Sequence, residues 1–317
     1  MSRPYEMISA RPDFREFIND MLTRMGLGEP ELKILFGQQN QDRNYKEFAK
    51  CFVTRGADPQ FNYEVNELAG DLCLNQAVIM YFLKILNSTQ EAKRDREKAA
   101  GRDYQPDSRL VDYFNKLKAV YINKETFVDI ANRFGFNDFM VYGARDAKND
   151  PDAKFLCDSI ESFIGCFELL VDRYIEPHYS HRYVLNFVAY VYNSRYINYN
   201  PSHVYEPVTL LKETNDATKP KNGDGFTYTV GPDDRDANLT VVYRTDFTTG
   251  PDGRQRTRRI VVSEIEFLNS RTNQVKFIMS QRALDYMKRH PEKINARLIK
   301  EPPTPEELGI EELCTGL

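Results

Sequence analysis

The strongest constraint on this chain is a buried-looking helix that carries charge. Residues 155–167 read Phe-Leu-Cys-Asp-Ser-Ile-Glu-Ser-Phe-Ile-Gly-Cys-Phe, and Asp158 and Glu161 are their only charges. A helix apolar nearly all round is a core helix. Two carboxylates inside it, at i and i+3, must be protonated, paired or metal-bound, because an unpaired buried charge is too costly to keep. A second stretch offers the partner. Residues 63–71, Tyr-Glu-Val-Asn-Glu-Leu-Ala-Gly-Asp, open an apolar run that ends near Leu86. Read as a helix, they set Glu64, Glu67 and Asp71 at i, i+3 and i+7 on one face, which Leu74 and Val78 continue. Like charges so placed repel unless water or a cation relieves them.

Two helices with inward acids are expected to bring those acids together. Glu67, Asp71, Asp158 and Glu161 would then make an all-oxygen site, suited to Mg²⁺, or Mn²⁺, rather than zinc. Such an ion can lower the pKa of a bound water enough to make it a nucleophile.

These two stretches resemble the signature of the ribonuclease III family. The first reads Glu-x-x-Glu-x-x-Gly-Asp from Glu64, and the second Asp-x-x-Glu-x-x-Ile-Gly from Asp158. Val65, Asn66, Leu68 and Ala69 depart from the usual neighbours. Further likeness runs from about residue 30 to about residue 195, through Thr54-Arg55, Leu117-Lys118, Phe134-Gly135-Phe136 and Tyr142-Gly143. The resemblance implies a helical catalytic domain over 1–197 that pairs as a homodimer. Its expected activity is cleavage of double-stranded RNA, leaving 5′-phosphate and 3′-hydroxyl ends with short 3′ overhangs. It also assigns Asp71 and Glu161 to catalysis and sets Glu64 nearer the substrate than the metal, to orient the RNA or stand at the dimer edge, with a plain helix cap as the alternative.

The rest of the catalytic half reads as helices. Phe14, Phe17, Ile18, Met21 and Leu22 recur at helical spacing, as do Phe127, Ile130, Ala131 and Phe134. Gly135 fits the left-handed position that stops a helix. Residues 87–109 are a polar, charged insertion, read as a solvent-exposed helical extension. His178 and His181 read as a loop or helix-end pair.

Residues 198–207 read as a turn-rich linker, and the periodicity changes beyond it. A short helix candidate at Leu210-Leu211 precedes β-rich runs at 226–230, 239–243 and 260–267, and a helix is expected over about 273–289. Helix, three strands, helix is the order of the double-stranded-RNA-binding domain that commonly follows a ribonuclease III domain, so 208–292 is read as a domain of that kind. The expected fold class is α+β. The family's basic cluster is missing. Lys276 and the arginines Arg254, Arg256, Arg258 and Arg259, placed in a hairpin ahead of the third strand, are the phosphate contacts expected instead, with a solubilising hairpin as the other reading of the arginines. Residues 293–317, with three prolines and several glutamates, read as a tail.

Composition sets outer bounds. With 41% hydrophobic and 28% charged residues over 317 positions, the chain has an ordinary globular make-up, and its net charge of −4 does not advertise nucleic-acid binding. No uninterrupted apolar run reaches the roughly 18 residues of a membrane helix. No signal or transit peptide is evident, and no small-molecule cofactor is expected. Five cysteines without zinc-type spacing fit a reducing intracellular compartment, cytoplasmic or nuclear. Two other classes compete with the nuclease: a catalytically weak duplex-RNA-binding scaffold that keeps the fold, and a carboxylate di-iron enzyme. The second lacks the Glu-x-x-His pairs it would need.

Overall fold

The computed structural model describes residues 2–144, 146, 152–193, 197–218, 225–262, 265, 268–269, 272–290 and 299–315. It is helical at first and ends in a small antiparallel sheet flanked by helices, an α+β chain. Two compact units divide it, the first reaching Asn198 and the second covering Tyr199–Cys314.

Nine helices among the described residues build the first unit: α1 (Pro4–Ala10), α2 (Pro12–Arg24), α3 (Glu29–Phe36), α4 (Gln41–Lys50), α5 (Glu64–Ala99), α6 (Ser108–Tyr121), α7 (Lys124–Arg133), α8 (Asp152–Tyr174) and α9 (Ser180–Asn193). Their starts follow from local chemistry. The Asp107 side chain accepts from the Arg109 amide to open α6, and Asn123 accepts from Thr126 at 2.8 Å to open α7. Gly135, at φ 77°, takes the left-handed position after α7. An aromatic core then holds the N-terminal helices to the centre. Phe14 meets Phe52 edge-on at 5.4 Å, and Phe163 of α8 meets Phe48 and Phe136 at 5.2 and 5.6 Å. The centre itself is α8, packed along α5 on one side and against α7 and α9.

α5 continues past Leu86 to Ala99 as one helix, and much of its polar end faces solvent. By length and composition an 18-residue stretch of α5 is apolar enough to cross a bilayer, which corrects the expectation from uninterrupted runs. Asn75, Gln76 and Lys84 interrupt the run without lowering its mean enough. In the fold Leu74, Ala77, Val78, Tyr81, Phe82 and Leu86 of this helix are buried within the unit.

The second unit holds α10 (Pro201–Val204), α11 (Pro207–Thr218), β1 (Gly225–Pro232), β2 (Leu239–Thr249), β3 (Gln255–Val261), β4 (Leu268–Asn269), α12 (Asn273–Arg289), α13 (Pro305–Leu308) and α14 (Glu311–Thr315). β2 is central: β1 pairs along it, β3 pairs with its second half and β4 with its start, all antiparallel. The Asn215 side chain of α11 closes the edge of β1, accepting from the Tyr228 amide at 2.8 Å and donating to its carbonyl.

Three expectations are corrected here. The stretch 198–207 is not a plain linker, since α10 lies in it with Pro201 and Val204 buried. The third strand begins at Gln255, not 260, because the turn at Gly250–Gly253 returns the chain directly beside β2, with Thr249 opposite Gln255. Residues 263, 264, 266 and 267 of the expected strand lie outside those described. Finally, residues 299–314 are not a free tail. The Lys300 amide donates to Thr214 Oγ1 of α11 at 2.9 Å, and Ile299, Leu308 and Ile310 are buried.

Candidate metal centre

Two glycines decide where the acids meet. A Cβ on Gly70 of α5 would stand 1.6 Å from the Glu161 carbonyl oxygen, and one on Gly165 of α8 would stand 2.1 Å from the Asn66 carbonyl oxygen. Nothing larger than glycine fits either position, so α5 and α8 cross backbone against backbone. That crossing carries Glu67 and Asp71 of α5 to Asp158 and Glu161 of α8.

The electrostatics report the meeting. Burial raises the Glu161 carboxyl to about 7, a hydrogen bond from the Cys157 thiol holds it back, and the charges of Asp71, Asp158 and Glu67 raise it further. Asp158 is also raised by burial, against the pull of Lys154, Lys124 and the Tyr63 hydroxyl. Glu67 is raised by burial and then by Asp158. Asp71 is half-buried and accepts from Asn75 Nδ2 at 2.7 Å. Asp158 is only 3% exposed, and its Oδ2 accepts no hydrogen bond from the described residues. Among the described residues the nearest cation is the Lys154 ammonium, at 3.9 Å. A buried carboxylate oxygen with no donor is costly unless a cation meets it. The donor set is thus one a divalent ion fits, with carboxylate oxygen from both helices.

Glu64 stands apart from these four. It is exposed and lies 3.6 Å from Arg55, though its charge still raises Glu67 and Asp158. Sequence reasoning missed four neighbours. Tyr63, Lys124 and Lys154 modulate the acids, and Cys157 donates from Sγ to Glu161 Oε1 at 3.3 Å. The i, i+4 spacing of Cys157 and Glu161 was the available signal. His178 takes a left-handed φ of 64° in the turn before α9 and His181 lies in that helix's first turn, a loop and helix-end pair.

The arginines are distributed differently from expectation. Arg254 is in the turn, while Arg256, Arg258 and Arg259 are in β3 itself, opposite Thr248, Asp246 and Thr245. Side chains alternate along a strand, so Arg256 and Arg258 share one face and Arg259 has the other. Arg259 lies 3.5 Å over the Tyr243 ring and 3.9 Å from Asp234, and Arg256 lies 3.8 Å from Asp252. Lys276 is exposed on the first turn of α12, beside a cavity of about 350 Å³ that Leu211, Asn215, Thr229 and Phe247 also line.

No family model matches the chain. It is 26% identical over 166 residues to a protein of Invertebrate iridescent virus 6 named "Putative ribonuclease 3", a match covering 52% of this chain and 49% of that protein. A protein of Frog virus 3 with the same name is 25% identical over 180 residues, covering 56% and 44%. The chain is therefore related to the ribonuclease III family, and its matches span about half the length of these relatives. The nuclease domain of ribonuclease III from Campylobacter jejuni is similar at 18% identity over 50% of this chain and 94% of that one, with a TM-score of 0.32, which adds nothing to the sequence matches.

Proposed function

We propose that this protein is an Mg²⁺-dependent endoribonuclease that cuts double-stranded RNA as a homodimer, leaving 5′-phosphate and 3′-hydroxyl ends with short 3′ overhangs. The observation that carries the reading is the glycine-on-glycine crossing of α5 and α8, which gathers Glu67, Asp71, Asp158 and Glu161. These four would hold the ion, Mn²⁺ substituting for Mg²⁺. Bound there, the ion would supply an activated water and charge for the leaving 3′ oxygen. Asp71 and Glu161 orient that chemistry from the two facing helices. Glu161, near 7 when bare, gives its proton to solvent on binding. Lys154 and Lys124 place positive charge at the edge of the acids, where a phosphate would approach. Glu64, exposed one turn from Glu67, would orient the RNA.

The homodimer is supported by an apolar ridge beside the site. Val65, Leu68 and Leu72 follow each α5 acid by one residue and are 63%, 74% and 64% exposed. Large apolar side chains repeating along one helix face mark an interaction surface, and a second copy would bring a second acid cluster for the other strand. Arg254, Arg256, Arg258, Arg259 and Lys276 would add phosphate contacts in the second unit.

The test is cleavage of perfect duplex RNA, with sedimentation run alongside. Wild type should cut with Mg²⁺ and stop in excess chelator, and Asp71→Asn should bind duplex without cutting. Cleavage that persists in chelator sinks the metal reading. A strict monomer that still cuts both strands sinks the dimer. A wild type that binds duplex but never cuts selects the scaffold.

A further inference from the structure

Cys157 is the side chain of this site that hard-cation chemistry leaves unused. It is buried on α8, one turn before Glu161, with Sγ 3.3 Å from Glu161 Oε1. One ligand atom each from Cys157, Asp158 and Glu161 lies within 4.8 Å of the other two. A metal–sulfur bond of about 2.3 Å and a metal–oxygen bond of about 2.1 Å at a tetrahedral angle give a sulfur–oxygen edge of roughly 3.6 Å. The observed pair is already close to that edge. Asp158 adds a second sign of a ligand, since it is 3% exposed and its Oδ2 accepts no hydrogen bond from the described residues.

We propose that Cys157, Asp158 and Glu161 form a capture site for a thiophilic divalent ion of the Cd²⁺ or Zn²⁺ class. The inference rests on the metal reading of the acids given above. Thiolate selects soft and borderline ions, while carboxylate and water suit magnesium. One pocket therefore offers two donor sets: four carboxylates for the hard ion, and a thiolate with two carboxylates for the soft one. Asp158 and Glu161 belong to both, so the two ions exclude each other. Capture breaks the S–H bond, forms a metal–sulfur bond and releases the proton to solvent, with no change of oxidation state. The consequence for function is inhibition of cleavage, reversible by chelator.

The full chain, stripped of metal, is titrated with cadmium chloride and followed by thiolate-to-cadmium ultraviolet absorbance and by calorimetry. Cys51, Cys73, Cys166 and Cys314 are also free thiols, so the reading is the difference between variants. Cys157→Ala should lose part of the absorbance band and weaken the tightest Cd²⁺ binding by roughly tenfold or more, at least the loss seen for an outer-shell partner. Asp158→Asn should weaken it with the thiol in place, and excess Mg²⁺ should shift the wild-type titration. Cys157→Ser, which keeps the size of the side chain, repeats the measurement if the alanine variant does not fold. An unchanged band and affinity in both Cys157 variants overturns the proposal, as does unchanged affinity in Asp158→Asn. Cleavage is scored separately. A wild type that cuts with Mg²⁺ but shows no Cys157-dependent band refutes the capture site and spares the nuclease. A Cys157-dependent band on a protein that cuts nothing does the reverse.

Discussion

Glu161→Gln removes one charge from the crossing of α5 and α8 and leaves its shape nearly unchanged. The folded carboxyl titrates near 7, against an ordinary glutamate value of 4.5. Between those two pH values the metal-free native state holds a proton that the unfolded state has lost, so stability falls as pH rises through the interval. At about 1.4 kcal/mol per pH unit, the ionised carboxylate costs the fold roughly 3 kcal/mol once fully charged. The Cys157 thiol can still donate to the amide oxygen of glutamine. Metal-free Glu161→Gln should therefore equal wild type near about pH 4 and exceed it by up to about 3 kcal/mol near about pH 8. Asp158 and Glu67 are raised as well, so the variant keeps a shallower slope of the same sign. Adding Mg²⁺ should stabilise wild type more than the variant, and more at higher pH, because binding displaces a proton. Urea denaturation at both pH values, in chelator and then with Mg²⁺, reads all of this. A variant less stable than wild type at the higher pH, or one with an unchanged pH slope, would falsify the account of a penalised carboxylate.

Gly70→Ala should destabilise the first unit by roughly 3 kcal/mol, the upper range for overpacking, because the added Cβ meets backbone that cannot rotate away. Urea denaturation measures it, and a loss below about 1 kcal/mol would rule out the close crossing. In the second unit, changing Arg256, Arg258 and Arg259 to Ala should weaken duplex-RNA binding and flatten its dependence on salt by close to one unit of slope for each phosphate no longer neutralised. Unchanged affinity and slope would mean that β3 is no phosphate clamp and that the unit docks a partner instead.

How much of this was legible in the sequence depended on whether a residue created a conflict. Periodicity located the helices, because an apolar stripe has one way to hide on a helix. β3 carried no such stripe. Gln255–Val261 is mostly exposed and is held as a strand by backbone pairing to the outer half of β2, so β-branched composition points too far along the chain. The last described residues are hidden in the sequence for a related reason. Ile299, Leu308 and Ile310 are spread among prolines and glutamates without a period, and only their docking onto α11 buries them. The glycines at 70 and 165 were visible as motif members, but their purpose is a contact between two backbones 95 residues apart, which no local pattern encodes.

The acids and Cys157 make the sharpest contrast, since they share one site. Asp158 and Glu161 stood out because a charge in an apolar helix is unstable alone, and the conflict demands a partner that the rest of the chain must supply. Cys157 raised no such demand. A thiol in apolar surroundings is content as a small core residue, and the sequence offers no reason to ask more of it. Only the distance from Sγ to Glu161 Oε1 turns it from filler into a donor. Residues whose burial costs energy announce their function in sequence, and those whose burial costs little become visible when their neighbours are known.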